Sequence, residues 1–576
     1  MKKKLLALML TCSMAIASLA GCSTYTEDNT TSDTSSDTTA EGTQEDTSEA
    51  GSLAEEAECT EIADTINIIG GVAITMNLYA SQASNDHDLF YLTMSGLVRY
   101  YDADINMDAA ESYELSADGL TYTFTLRDGL TYSDGTPITS VDFAYSFKRL
   151  MAPDSGSSEC TQYYGVTGAM AYNMGEGNWE DVGISCPDDK TLEITLDEAD
   201  GKFMLILSLS PFYPVTEEFA VQWGDSLGTS PESVLISGPY VLTEWTVDTS
   251  MSLVKNENWW NAENEFPTKN VNILQIDSAN TKVSMFENGE GDIISSLDAN
   301  YISTLSDYID SYVGSTEMLL WMNEAGNTED TAALMNNLNF RTALAYALDR
   351  NAICGAVSPG FVGTDRAASA NYPGINDTYV NEYSVDACPV EGDAELAAEY
   401  LNAALEELGY SDVSELPELN YITFERDDMR LLGETVVDTW KQVLGITNIT
   451  FTQYPIGTAI QQFYTGEYDI FMISVGCSVA PTDIMDSFTA DGSYGFFAAN
   501  WDLDVAPFLE AANAEEFQSD AYYQKVAELE TAFLNEYSIV PLYNQTFFYA
   551  LTDGMEGYVE PGISYNYQIN QLTLTK

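Results

Sequence analysis

Helix and strand patterns alternate through the second half of the chain, and this alternation restricts the fold more than any other feature. Asp393 can cap a helix whose apolar residues recur at helical spacing until Gly409, a residue suited to ending it. A second helix pattern, Met429 to Leu444, precedes an alternating strand pattern at 449–453, and 469–475 is apolar enough for a buried strand. Strands that alternate with helices indicate βαβ units, so the sequence predicts an α/β fold with a partly parallel sheet.

The first 22 residues have the organisation of a secretory signal. Three lysines at 2–4 precede an apolar run, Leu5 to Leu19, and small residues then lead to Cys22. The ending Leu-Ala-Gly-Cys resembles a bacterial lipobox, which implies that residues 1–21 are a signal peptide removed before a lipid-modified Cys22. An ordinary signal peptide with an incidental cysteine is the alternative. The sequence therefore predicts an extracytoplasmic protein held at the cell membrane by a lipid anchor.

Residues 22–60 are dominated by Ser, Thr, Asp, Glu, Gly and Ala, which cannot bury enough apolar surface to fold. We expect this segment to be a disordered linker between the lipid anchor and a folded body. The body, about 515 residues, is too long for a single core and predicts two or three domains. The net charge of −71 excludes nucleic acid as a partner, because phosphate binding needs clustered Lys and Arg. Neutral or cationic ligands are favoured.

Five short segments follow one another in an order that is shared with a known family. They are Ser95–Tyr100 (SGLVRY), Ser116–Leu150, Ser237–Trp260, Asn339–Arg350 (NFRTALAYALDR) and Ile539–Tyr543 (IVPLY). The second contains Asp-Gly turns, an alternating strand pattern and a capping pair, Thr139 with Asp142, before a helix pattern. Together these segments resemble motifs of the peptide/nickel family of extracytoplasmic solute-binding proteins, which serve ATP-binding cassette (ABC) importers.

The resemblance implies a periplasmic-binding-protein-like α/β fold of two lobes joined by two crossing strands, with an extra domain inserted in the first lobe. The crossings are expected near 318–323 and 541–549. The implied bounds are 61–94, 181–317 and 541–576 for the first lobe, 95–180 for the extra domain and 318–540 for the second lobe.

The resemblance also implies a monomeric receptor, without cofactor, that captures a peptide and delivers it unaltered to an ABC importer. Alternatives are a binding protein for a dipeptide, an oligosaccharide or a metal chelate, or a secreted hydrolase that uses two carboxylates. The single histidine, His87, cannot build a histidine-rich metal site, and a catalytic triad would depend on it alone. Because His87 lies between Asp86 and Asp88, we expect a solvated surface residue. We therefore predict neither catalytic nor metal-binding residues.

In this family the ligand is contacted at the crossing strands and at the end of a buried strand of the second lobe. Oligopeptide-binding members carry there a Trp and, before a Pro, an Asp that binds the peptide's amino group. Aligned on Pro481, the Asp position falls on Cys477 and the Trp position near Val475. Asp483 could replace the missing carboxylate, or it could cap the next helix. Cys477, Ser478 and Asp483 are thus candidate ligand-binding residues.

Trp321, Asn323 and Arg426, the last together with Arg430, are further candidates for ligand contact. Trp321, on the expected crossing strand, could stack on a ligand, and Asn323 lies on the same side of that strand; hinge packing is the alternative for Trp321. Arg426 lies one helical turn before Arg430, so the two could hold a ligand carboxylate. Pairing with neighbouring acidic residues is the alternative for both arginines.

The cysteines of the body could form disulfides in an exported chain. Cys160 with Cys186 and Cys354 with Cys388 would close loops of moderate size, so we predict these two pairs. The alternative is that all of these thiols are free and buried. No pair of cysteines has CxxC spacing, so a metal or redox motif is not indicated.

Overall fold

The computed structural model describes residues 62–80, 84–101, 104–209, 212–297, 299–476, 480–490, 492–559 and 568–575. The predicted signal peptide, Cys22 and the whole linker at 22–60 lie outside these residues. Within the described ranges, no helix is long and apolar enough to span a bilayer.

Most strands are short, and two, of 14 and 13 residues, are the longest. The strands are β1 (Thr65–Ile69), β2 (Val98–Tyr101), β3 (Asp104–Met107), β4 (Ala110–Leu115), β5 (Thr121–Leu126), β6 (Ile184–Asp188), β7 (Thr191–Thr195), β8 (Tyr240–Thr246), β9 (Ser250–Lys255), β10 (Asn270–Leu274), β11 (Ile293–Leu297), β12 (Ile309–Met322), β13 (Phe361–Gly363), β14 (Leu419–Phe424), β15 (Ile449–Tyr454), β16 (Ile470–Gly476), β17 (Ile539–Leu551), β18 (Met555–Glu556) and β19 (Thr573–Leu574).

The longest helices lie in the second half of the chain. The α-helices are α1 (Ser84–Thr93), α2 (Ser140–Leu150), α3 (Ala169–Asn173), α4 (Phe203–Leu209), α5 (Glu217–Trp223), α6 (Ala279–Glu287), α7 (Glu329–Met335), α8 (Leu338–Tyr346), α9 (Arg350–Val357), α10 (Tyr379–Glu382), α11 (Ala394–Leu408), α12 (Asp427–Leu444), α13 (Ile456–Thr465), α14 (Asp483–Asp486), α15 (Gly495–Ala498), α16 (Ala506–Asn513) and α17 (Asp520–Leu534).

One large sheet runs through the molecule in the order β15–β14–β16–β12–β17–β11–β1–β10–β9–β8, and β13 pairs with β17 beside it. β14 is parallel to β15 and β16, and β1 is parallel to β10 and β11. The other pairs of this sheet are antiparallel. Because α12 connects β14 to β15 and α13 connects β15 to β16, the parallel pairs there are the βαβ units that the sequence predicts.

The long strands β12 and β17 connect the two halves of this sheet. β12 pairs with β17 from Ile309 to Trp321, and its other edge pairs with β16 from Thr316 to Met322. The end of β17 that pairs with the start of β12 also reaches β11. The register of β12 against β17 shifts between Val313 and Glu317, a few residues before the predicted crossing near 318–323.

Separate hydrophobic cores lie on the two sides of the crossing strands. One core draws its residues from 66–293 and 569–574, and another draws its residues from 318–543. A smaller cluster packs around Val283 and Phe286 of α6. The fold is thus two α/β lobes joined by a pair of hydrogen-bonded strands, with an additional antiparallel sheet on the first lobe. The residue bounds of the lobes stay a prediction.

The additional sheet has the order β4–β5–β7–β6, and α2 packs against it. In β5 the buried side chains of Tyr122, Phe124 and Leu126 alternate with more exposed threonines, as the sequence pattern predicts. Thr139 and Asp142 form a reciprocal capping box at the start of α2, which confirms the predicted helix start.

Local signals also define the helices of the second lobe. The Asp393 carboxylate accepts the backbone N–H groups of Glu395 and Leu396, both at 3.0 Å, and starts α11. Gly409 ends that helix at φ +80°, a left-handed conformation that glycine adopts without steric cost. Gly445 ends α12 in the same way at φ +73°.

The predicted disulfides are wrong, because all four of the cysteines concerned are free thiols. Cys160 donates to the Ser157 carbonyl at 2.9 Å, Cys354 to the Leu542 carbonyl at 3.8 Å, and Cys388 to the Pro389 carbonyl at 3.7 Å. Loop length alone suggested the pairs, and it carries no information on how the thiols are oriented. These cysteines act as small buried or partly buried side chains.

Candidate functional site

The two lobes touch on the side where Lys202 meets Asp483. Lys202 immediately precedes α4 on the first lobe, and its Nζ donates to Asp483 Oδ1 at 3.0 Å across a separation of 281 residues. The side chains are only 20% and 14% exposed. Next to this pair, a Cβ on Gly201 would lie 2.5 Å from Phe517 Cβ, so backbone and side chain are in close contact. The two lobes are therefore in direct contact at this point of the described conformation.

Asp483 is the first residue of α14, two positions after Pro481. Thr482 occupies the cap position of this helix, and its side chain makes no capping hydrogen bond. Asp483 Oδ2 accepts the Ala480 N–H at 2.8 Å. Asp483 is thus held by its own loop on one side and by Lys202 on the other.

The electrostatic surroundings of this pair are acidic. The Asp483 carboxylate raises the pKa of Lys202 above its usual value, against the opposing effect of burial, and Asp200 raises it further. Burial raises the pKa of Asp486, with Asp483 and Asp200 adding to the rise and Lys202 opposing it. The single ammonium group is therefore the positive charge that balances a set of carboxylates at the junction.

The polar contacts at the crossing strands lie between Glu317 and Asn544. Asn544 Nδ2 donates to Glu317 Oε1 at 3.0 Å, and Glu317 is fully buried. Asn371 Nδ2 donates to the Val313 carbonyl at 3.2 Å, where the register of β12 against β17 shifts. These bonds hold a loop of the second lobe against the crossing.

Trp321 does not face a cleft, and its predicted stacking on a ligand is contradicted by its burial. The side chain is 0% exposed and its ring lies among Phe463, Phe488, Tyr494 and Phe497, with centroid distances of 4.8–5.2 Å. Since neither face of the indole is accessible, Trp321 packs the core of the second lobe.

Asn323 also has a structural role in the described conformation. It is 7% exposed, and its Nδ2 donates to the Tyr468 carbonyl at 2.9 Å. Its Oδ1 accepts the Ala325 N–H at 3.2 Å. The residue joins the end of β12 to the loop before β16, which corrects the prediction that it contacts ligand.

Arg426 and Arg430 do not converge into a clamp. Arg426 is bound by both oxygens of Asp428 at 2.6 Å, and its charge also acts on Tyr543 of the crossing strand β17. Arg430 is paired with Glu434 at 3.3 Å on the outer side of α12. The alternative, pairing with nearby acids, is the one observed; contact between Arg426 and a ligand stays a prediction.

Cys477 and Ser478 lie outside the described residues. β16 ends at Gly476, immediately before them, and the chain is described again from residue 480. Their predicted contact with ligand stays a prediction.

His87 is buried, which corrects the expectation of a solvated residue. It is 8% exposed and its ring meets Phe90 edge-on at 5.6 Å. Its neighbours Asp86 and Asp88 are also buried, and Asp86 accepts the Ile74 N–H at 2.7 Å. The Asp86 carboxylate therefore binds the loop before α1. Acidic neighbours in the sequence did not indicate a surface position for His87. The described residues hold no group of three or more His, Cys, Asp or Glu suited to a metal ion.

Sequence reasoning did not single out Lys202, Glu317 or Asn544. One signal was available for Lys202: it is an isolated lysine directly after an acidic stretch that ends with Asp200. For Glu317 the signal was an acidic residue at the start of an apolar run in a strand expected near the crossing.

Comparison with known proteins agrees with this architecture. The family model described as bacterial extracellular solute-binding proteins, family 5 Middle, matches residues 104–495. The oligopeptide-binding protein OppA of Bacillus subtilis is 28% identical over 485 residues, covering 82% of this chain and 85% of that protein.

Solved structures show the same fold. The substrate-binding domain of an oligopeptide ABC transporter from Bacillus anthracis superposes with a TM-score of 0.69 at 23% identity, covering 90% of this chain and 100% of that one. Listeria monocytogenes OppA bound to peptide gives a TM-score of 0.66 at 20% identity, covering 89% and 99%. Since the family model matches more than half of the sequence, the chain belongs to the bacterial extracellular solute-binding proteins of family 5.

Proposed function

We propose that this chain is an extracytoplasmic receptor that binds a peptide between its two lobes and hands it, chemically unchanged, to an ABC importer. The observation that carries the proposal is the two-lobe architecture, in which the paired strands β12 and β17 join the lobes and the Lys202–Asp483 pair brings them into contact. Closure of two hinged lobes excludes water from an enclosed ligand and strengthens its polar contacts.

Peptide is the favoured ligand for two reasons. Bacillus subtilis OppA, whose alignment covers 82% of this chain, is an oligopeptide-binding protein, and Listeria monocytogenes OppA has the same fold and is bound to peptide. In addition, backbone hydrogen bonds can bind peptides with little dependence on side-chain sequence. The strongly acidic chain favours neutral and cationic peptides over acidic ones.

Lipid anchoring through Cys22 completes the proposal. The lipobox-like ending at Cys22 supports it, and residues 22–60 would serve as the tether between bilayer and body. The intact mass of protein extracted from membranes is expected to exceed that of the chain beginning at Cys22 by the mass of a diacylglyceryl group, with or without a further acyl chain.

The ligand class can be tested with the purified chain. Native mass spectrometry should detect co-purified peptides, and adding a peptide library should raise the melting temperature, whereas oligosaccharides should leave it unchanged. After prolonged incubation, the recovered peptides should have their original masses. Peptide cleavage would identify a hydrolase, and stabilisation by sugars alone would identify a receptor for another solute.

A further inference from the structure

An ammonium group of the protein already occupies the carboxylate that sequence reasoning assigned to a ligand's amino group. Lys202 Nζ donates to Asp483 Oδ1 at 3.0 Å, and the Ala480 N–H donates to Oδ2 at 2.8 Å. Both oxygens of Asp483 therefore have a donor in the described conformation. A lysine side chain and a peptide's free amino terminus present the same chemical group, a primary ammonium, to such a site.

The position of the pair gives it a second role. Lys202 belongs to the first lobe and Asp483 to the second, so the bond joins the two lobes directly. With side chains 20% and 14% exposed, the pair is screened by salt less than an exposed one. Leaving one partner of such a pair without the other is costly.

The charges around the pair reinforce this dependence. The charges of Asp200 and Asp486 both raise the pKa of Lys202. Removal of the lysine would leave three carboxylates at the lobe junction with no neighbouring ammonium. These three carboxylates would repel one another as the lobes close unless a ligand supplied a cation.

We propose that Lys202 acts as a built-in substitute for a ligand's amino terminus: it neutralises Asp483 as the lobes close, so the receptor accepts peptides whose amino terminus is blocked as well as free ones. The specificity claim rests on the proposed peptide-binding function. The closure claim does not, since it concerns only the two lobes.

The specificity claim is tested with two pentapeptide libraries of identical random sequence, one with free and one with acetylated amino termini. The wild-type chain should retain both libraries to within about twofold. Lys202→Met should retain the free library at least about tenfold better than the acetylated one, because Asp483 is then open to a ligand ammonium. Lys525→Met, which removes an exposed lysine paired with Glu528, is the matched control and should behave like the wild type.

The closure claim is tested by small-angle scattering of the ligand-free protein. Lys202→Met and Asp483→Asn should each increase the radius of gyration relative to the wild type, and the double variant should show no further increase. Circular dichroism of each variant verifies folding.

The outcomes separate the two claims. If the wild-type chain retained only the library with free amino termini, the proposed role of Lys202 as a substitute for a ligand's amino terminus would be overturned. An unchanged radius of gyration in the folded single variants would overturn the closure role. If the folded wild type retained neither library, the peptide-binding function would fail, while scattering would still decide whether the pair closes the lobes.

Discussion

His87 and Trp321 show how a single side chain's surroundings determine its role. His87 has carboxylates on both sides in the sequence, yet it lies inside against Phe90. Trp321 lies in a strand that continues into the crossing, yet it is enclosed by aromatic rings of the second lobe. In each case the residues that surround the side chain are determined by how helices and strands pack. A bulky side chain with many such contacts contributes to stability.

The pH dependence of stability should reveal the burial of His87. Burial lowers its pKa to about 4, whereas an unfolded chain titrates near 6.5. Between these values the unfolded state binds more protons, so the free energy of unfolding falls as the pH is lowered from about 6.5 to about 4, by roughly 3 kcal/mol.

Because the chain has one histidine, a single imidazole resonance in a proton NMR titration reports this pKa. His87→Gln should remove this part of the pH dependence in denaturation experiments between pH 5 and pH 7 (about the range in which unperturbed histidine titrates). A resonance that titrates near 6.5 in the folded protein would show that the ring is solvated.

At the scale of elements, helix termini follow local rules. Asp393 and Gly409 could be assigned from the sequence because a cap depends on residues within one turn of it. The strand at 121–126 could be predicted for the same reason, since its alternation is local.

The candidate site could not be predicted in this way. Lys202 and Asp483 are separated by 281 residues, and nothing in either local sequence encodes their meeting. The aromatic partners of Trp321 come from α13, from α15 and from residues adjacent to α14 and α15, so its burial depends on how these pack onto β12. The likeness to a family supplied the two-lobe fold, whereas the roles of individual residues required the packed structure.

Two glycines make a matched test of helix-end chemistry. Gly409 has φ +80° with nothing within 4 Å of an added Cβ, so Gly409→Ala should destabilise the protein through backbone strain alone, by about 1 kcal/mol. Gly457, inside α13, also has open space but no positive φ, so Gly457→Ala should be neutral or stabilising by up to about 1 kcal/mol. Urea denaturation monitored by circular dichroism measures both, and equal effects of the two changes would contradict this account.

At the scale of the whole molecule, the chain has a net charge of −71, so its carboxylates repel one another in the folded state. We expect the melting temperature to rise by several degrees between about 0.01 M and about 1 M salt, as the screening length falls from about 30 Å to about 3 Å. Sodium and potassium chloride should act equally, since the effect depends on ionic strength. A melting temperature that falls with salt would instead show that attractive surface pairs dominate.

The ladder of hydrogen bonds between β12 and β17 has a mechanical consequence. Two separate tethers could bend, twist and slide independently, but paired strands must move as one ribbon, because sliding would break their bonds together. Rotation of one half against the other is thereby reduced to a single flexing coordinate. An importer that docks against both halves would need to sense only one angle to tell an occupied receptor from an empty one.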